Sequence, residues 1–179
     1  PVVDSAGTIY VGSDNDAMYA IMDAGTAGVQ LWRHATFGDV KSKPALSADE
    51  TTLYYGNNTG GIHALDTTTG NDKWGGFTFP NGFNGGAIQT DFAVGANGNI
   101  YFGNNNRTLF AYRDDGAAAT ELGTFRTNGG GANNFGRCSP VVNAANQVFF
   151  ASGDSNAYSL DGTDPANWGT AASPGSALN

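Results

Sequence analysis

The stretch Ala64 to Trp74, ALDTTTGNDKW, constrains the fold more than any other part of the chain. A small residue leaves a strand, an Asp opens a turn, a Gly supplies positive φ, and a Trp closes the next strand. The apolar, aromatic run Thr52–Gly56 (TLYYG) stands just before it and reads as a strand. This pairing of run and motif recurs. The runs TIYVG, TLYYG, NIYFG and QVFFA end at Gly12, Gly56, Gly103 and Ala151, spaced 44, 47 and 48 residues apart. Ala20, Ala64, Ala111 and Ser159 each follow eight residues later, while Pro1, Pro44, Asp91 and Pro140 lead the strand ends by 11 or 12. A period in the forties built of short strands and turns predicts an all-β propeller of four-stranded antiparallel blades. Four blades are expected, near residues 1–43, 44–90, 91–139 and 140–179.

The strand runs do not alternate between apolar and polar. Leu53-Tyr54-Tyr55 and Val148-Phe149-Phe150 carry large side chains on both faces. A sheet covered on one side would alternate, so the pattern favours blades stacked on blades over a two-sheet sandwich. Charged residues make up only 13% of the chain, and the net charge is −8. With no basic stripe, a nucleic-acid or anionic-membrane partner is excluded. No apolar run approaches the ~20 residues that span a bilayer. Cys138 is the single cysteine, so no intrachain disulfide forms, and its place before Pro140 suits a small buried residue. The chain starts with Pro1 rather than Met and is expected to be a processed or excised piece. Low charge and abundant Asn suit a periplasmic, cell-envelope or extracellular setting.

The copies differ in instructive ways. The first carries a two-residue insertion between Ala20 and Trp32 relative to the second. In the third, Arg113 replaces the motif Asp, and Gly123 stands where Trp is expected. Asp14, Asn15 and Asp16 are crowded for a calcium loop, whose ligands spread over about twelve residues, and read as a hairpin turn. His63 takes a slot held by Tyr19, Phe110 and Tyr158 elsewhere, and His34 follows Trp32. With no third partner evident nearby, neither histidine reads as a metal ligand or base, and no metal site is expected. Two Gly/Asn-rich loops end the second and third copies at equivalent places. Phe83 and Asn84 lie in one, Phe135 and Arg137 in the other, with Lys41, Lys43 and Gln89 just ahead of inner strands. These seven residues are the candidate partner-binding set, since loops on a rigid scaffold are where binding usually resides. The competing reading makes the loops plain connections with both Phe side chains tucked beneath them.

The motif Ala64-x-Asp66-x-x-Thr69-Gly70-x-x-x-Trp74, with weaker copies at Ala20–Trp32 and Ser159–Trp168, resembles the pyrroloquinoline-quinone-like β-propeller repeat. The resemblance covers essentially the whole chain. It implies that Trp32, Trp74 and Trp168 dock against turns of adjacent blades, with Ala64, Asp66 and Gly70 shaping such a turn, and Gly123 lacks that lock. It serves enzymes and non-enzymes alike. Quinoprotein alcohol or sugar dehydrogenases use an adjacent cysteine pair and a metal held by Glu, Asn and Asp. Here there is no second cysteine, and Asp4, Asp49, Asp66 and Asp161 all fall in turns. The favoured reading is therefore a non-catalytic scaffold or binding module, similar to the envelope lipoproteins that assist outer-membrane barrel assembly. It takes a protein or surface-glycan partner and no quinone cofactor. The alternatives are a quinoprotein fragment and a structural part of a surface assembly. Rings of this family close with seven or eight blades, so four are expected to form about half a ring. Further blades or a second copy would then close it.

Overall fold

The computed structural model describes residues 1–75, 86–127, 139–153 and 156–168. Four antiparallel sheets follow one another along the chain. The first contains β1 (Val2–Val3), β2 (Thr8–Ser13), β3 (Ala17–Asp23) and β4 (Gly28–Ala35), in that spatial order. The second contains β5 (Ala45–Leu46), β6 (Thr52–Gly56) and β7 (Ile62–Asp66). The third contains β8 (Ala93–Val94), β9 (Ile100–Gly103), β10 (Thr108–Asp114) and β11 (Ala119–Arg126). The fourth contains β12 (Val141–Val142), β13 (Gln147–Ala151) and β14 (Ala157–Asp161), then a 3-10 turn at Pro165–Asn167.

Two blades thus have four strands and two have three among the described residues. In blade two the outer edge shrinks to a single bridge between Leu65 and Asp72, extended by the Lys73 amide donating to the Ala64 carbonyl. In blade four Pro165 has no N–H to give to a ladder, and the chain turns instead. One residue of the insertion in blade one is absorbed by a bulge: Ala20 pairs with Trp32 and Ile21 with Gln30, leaving Leu31 unpaired. Blade three has the matching bulge, and there Ala111 pairs with Gly123. Gly123 therefore occupies the register position that Trp32 holds in blade one.

Each interface between neighbouring blades is a separate apolar cluster. Tyr10, Met18, Trp32, Leu53 and Tyr55 lie between blades one and two. Tyr54, Trp74, Ile88, Phe102 and Phe110 lie between two and three. Tyr101, Leu109, Val148, Phe150 and Trp168 lie between three and four. Successive residues of β6 feed different clusters, Leu53 and Tyr55 one way and Tyr54 the other, and the whole strand is buried. That is the physical reason these runs carry no polar face.

Among the described residues, the far face of blade one meets no other blade. The pairs Val3–Ile9, Ile9–Ile21 and Val11–Tyr19 place an apolar stripe there, with Val3 56% exposed. The connections between blades also explain two of the strand-end glycines. A Cβ on Gly12 would collide with Val40, and one on Gly56 with Ile88, because each connection crosses directly over the end of the preceding blade. Ser42 and Thr90 then anchor the next blade by bonding both backbone groups of Gly56 and Gly103 respectively.

Candidate functional site

The antiparallel order sorts the turns between two edges of the assembly. One edge carries the β2–β3, β6–β7 and β9–β10 turns together with the connections between blades. The opposite edge carries the turns on either side, and four of its Asp carboxylates are engaged locally. Asp4 accepts from the Thr8 amide, Asp49 from the Thr51 amide, Asp66 from the Thr68 and Thr69 amides, and Asp161 from the Thr163 amide. These bonds hold all four carboxyls below their ordinary value. For Asp49 the Ser47 hydroxyl contributes most and the value falls to about 2. For Asp4, burial works the other way, and the Thr8 and Tyr10 bonds outweigh it. In Asp66 the Thr69 amide is the largest contributor, and in Asp161 the Thr163 hydroxyl.

A pH dependence follows with a definite sign. A carboxyl whose folded pKa lies below its unfolded 3.8 binds fewer protons folded than unfolded, so its contribution is present above about pH 4. It is lost as pH falls through the folded value. The melting temperature is expected to hold level down to about pH 5 and to fall steeply below about pH 4. Scanning calorimetry from neutral pH downward checks it. An Asp49→Asn plus Asp66→Asn variant should show a shallower acid limb; an unchanged limb would remove these turns as its cause.

On the connection-bearing edge, a polar chain runs across three blades. The Lys41 ammonium lies 3.0 Å from an Asp39 carboxylate, to which the Asn58 amide also donates. The Gln89 amide donates to the Asn58 carbonyl at 2.9 Å, and the Asn105 amide reaches Gln89 at 3.4 Å. Lys43 uses its backbone, donating its N–H to Asp91 at 3.0 Å. Lys41 and Gln89 are thus brought together through Asp39 and Asn58, two residues that sequence reasoning passed over. Phe83, Asn84, Phe135, Arg137 and Cys138 lie outside the described residues. A shallow cleft on the opposite edge, between blades two and three, is lined by Asp49, Thr52, Tyr54, Lys73 and Asp114.

The tryptophans sit between blades. The Trp32 indole N–H donates to the Thr67 carbonyl of blade two at 2.8 Å, and its ring covers Gly70, which has φ +72°. Trp74 of blade two donates to the Asp114 carboxylate of blade three at 2.9 Å. Asp114 therefore takes with its side chain the bond that Thr67 takes with its backbone. Trp168 goes elsewhere. It packs on Tyr101 of blade three and donates to the Asp161 carbonyl of its own blade at 2.7 Å. The 3-10 turn ahead of it rests on Gly123, whose missing side chain leaves room for the Pro165 carbonyl. Blade four thus supplies the indole that blade three lacks.

A second constellation lies between blades one and two, where the sequence had suggested no third partner for the histidines. His34 comes from β4, His63 from β7 and Asp72 from the outer bridge of blade two. The His34 Nε2 lies 2.9 Å from Asp72 Oδ2, and the His63 Nδ1 lies 3.6 Å from Asp72 Oδ1. Tyr55 holds both rings. Its hydroxyl is 2.9 Å from His34 Nδ1, and its ring stacks on His63 at 4.8 Å and 8°. Burial pushes the His63 imidazole down, outweighing the Asp72 carboxylate. Burial pushes the Asp72 carboxyl up, but the hydrogen-bonded His34 and then the neighbouring His63 overcome it and leave the group well below the carboxylate range. His63 could have drawn notice as the one imidazole in an aromatic slot. Asp72, two residues before Trp74, carried no signal of its own.

The family model described as outer membrane protein assembly factor BamB matches residues 1–177. No curated protein matches the chain. Among solved structures it is similar to BamB from Moraxella catarrhalis, with a TM-score of 0.69 at 14% identity. That likeness covers 93% of this chain and 45% of the other, so the chain spans about half the length of that protein. At such identity the structural likeness speaks for the fold alone. The family match along nearly the whole length, borne by four sheets stacked as blades, makes this chain a member of the outer membrane protein assembly factor BamB family of pyrroloquinoline-quinone-like β-propellers.

Proposed function

We propose that the chain is a non-catalytic propeller scaffold of the cell envelope, holding protein partners of outer-membrane assembly along its connection-bearing edge. The observation that carries this reading is the family match over residues 1–177. The edge itself supports it: Lys41 and Gln89 are held in one polar chain over three blades by Asp39, Asn58 and Asn105. Phe83, Asn84, Phe135, Arg137 and Lys43 complete the proposed contact set. Trp32, Trp74 and Trp168 act as the docking residues that keep the blades in place, with Ala64, Asp66 and Gly70 forming the turn that receives Trp32. Among the described residues no helix is long and apolar enough to cross a membrane. The family match supports a periplasmic position.

The apolar stripe Val3–Ile9–Val11–Ile21 would be covered by further blades of the same protein or by a second copy, as a half-ring requires. One experiment tests both statements. Photo-crosslinking side chains at positions 41, 43 and 89 are expected to trap other envelope proteins in the source cells. A probe at position 3 should trap the protein itself, within one chain or between copies. Equal, low adduct formation at 41, 43 and 89 would overturn the partner edge, and a solvent-quenched probe at position 3 would overturn ring closure.

A further inference from the structure

The cluster of His34, His63 and Asp72 is not explained by a scaffold role. All three offer a ligand atom, and these atoms lie within 4.8 Å of one another. A tetrahedral zinc ion, with bonds of about 2.0–2.1 Å, holds its donors about 3.3 Å apart. The His34 Nε2 lies 2.9 Å from Asp72 Oδ2 and the His63 Nδ1 3.6 Å from Asp72 Oδ1, so each imidazole faces its own oxygen of the one carboxylate that lies between them. A turn of the Asp72 carboxylate about its side-chain bonds would present one oxygen to an ion shared by both rings.

We propose that His34, His63 and Asp72 bind a divalent transition-metal ion, zinc by preference, which clips blade one to blade two. Two imidazoles and one carboxylate suit such ions rather than calcium or magnesium, which take oxygen ligands. The ring orientations are set in advance. With His34 binding through Nε2, its Nδ1–H donates to the Tyr55 hydroxyl, the outer support that metal-bound histidines use. The same Tyr55 ring fixes His63 by stacking. The His63 side chain is 3% exposed, whereas His34 and Asp72 are 16% and 24% exposed. The ion would therefore enter from the Asp72 side and keep water in its fourth position. The two ligands of blade two and the one of blade one make the site depend on the interface between them.

Calorimetric titration of chelator-treated protein with zinc chloride tests the proposal. One zinc per chain is expected, with cobalt giving the intense visible bands of a four-coordinate site. Asp72→Asn and His34→Gln should weaken zinc binding by at least about 100-fold, and Tyr55→Phe, which keeps the stack but loses the hydroxyl, by about tenfold. Added zinc should raise the melting temperature of the wild type and leave that of the two ligand variants unmoved. Since Asp72 and His34 are only partly buried, the fold survives these changes; His63→Phe, which retains stacking on Tyr55, serves as an independent third variant. Absence of stoichiometric binding, or binding undiminished in folded Asp72→Asn and His63→Phe proteins, would overturn it.

Discussion

A Gly123→Trp variant is expected to be less stable than the wild type, although it restores the residue that the repeat motif calls for. Filling a degenerate repeat toward consensus usually stabilises. Here the space is already taken. The backbone of Pro165 and Ala166 lies over Gly123, and Trp168 stands on Tyr101 as Trp32 stands on Tyr10 and Trp74 on Tyr54. A new indole must displace backbone, not a flexible side chain. Overpacking costs ~1–3 kcal/mol where neighbours can give, and a backbone obstacle places the loss at the upper end. Urea unfolding at constant m-value reads it as a fall in midpoint. Trp168→Ala alone should cost about 3–5 kcal/mol. In the double variant the two losses should be well below additive, because the 3-10 turn, no longer held down by Trp168, can lift off Gly123 and leave the place beside Tyr101 to the indole at 123. Additive losses, or a Gly123→Trp protein as stable as wild type, would show that residues 165–168 do not close this interface.

The same pair of residues shows how far the sequence could be read. That Gly123 breaks the motif was plain from register alone, and the bulge pairing Ala111 with Gly123 puts it where the register said. Where Trp168 goes was not legible. The shortened link between Asp161 and Trp168 says only that the fourth copy is irregular; the destination depends on the void in a different blade. The burial of both faces of β6 was visible in Leu53-Tyr54-Tyr55, because it is a local consequence of stacking. The histidine cluster was not, for the opposite reason. Its members are separated by 29 and 9 residues, and they converge only because the wedge between two blades turns the β4 edge toward the Leu65–Asp72 bridge. Periodicity fixes which residues share a face. It does not measure the angle between faces, and a site built across two blades depends on that angle. The proposed partner edge shows a middle case. Lys41 and Gln89 could be named from their position ahead of inner strands, but the residues that link them, Asp39 and Asn58, belong to a connection and a turn with no pattern to mark them.

The second large effect concerns the contact between Trp32 and Gly70. Gly70 adopts φ +72°, and a Cβ there would stand 2.6 Å from Trp32 Cδ2 and 2.9 Å from Cε3. Two separate penalties therefore attach to Gly70→Ala. The left-handed backbone costs an L-residue roughly 1–2 kcal/mol, and pushing the indole off its seat costs about 1–3 kcal/mol more. Trp32→Ala removes a nearly buried ring and its hydrogen bond to Thr67, for about 3–5 kcal/mol. Against a total stability on the order of 5–15 kcal/mol, either change alone should lower the unfolding midpoint markedly. The combination separates the two penalties. With the indole gone, the methyl group of Gly70→Ala meets empty space, so the steric part vanishes while the backbone part remains. The double variant is therefore expected to be more stable than additivity predicts, by about 1–3 kcal/mol, within the range of about 0.5–3 kcal/mol measured for residues in direct contact. Asp66→Asn serves as the reference. It keeps an oxygen for the Thr68 and Thr69 amides and touches the turn without touching the ring, so its coupling to Trp32→Ala should be close to zero. If Gly70→Ala and Trp32→Ala instead add in full, the whole cost of Gly70→Ala is backbone strain. The tryptophan would then rest on the turn without being what demands a glycine there.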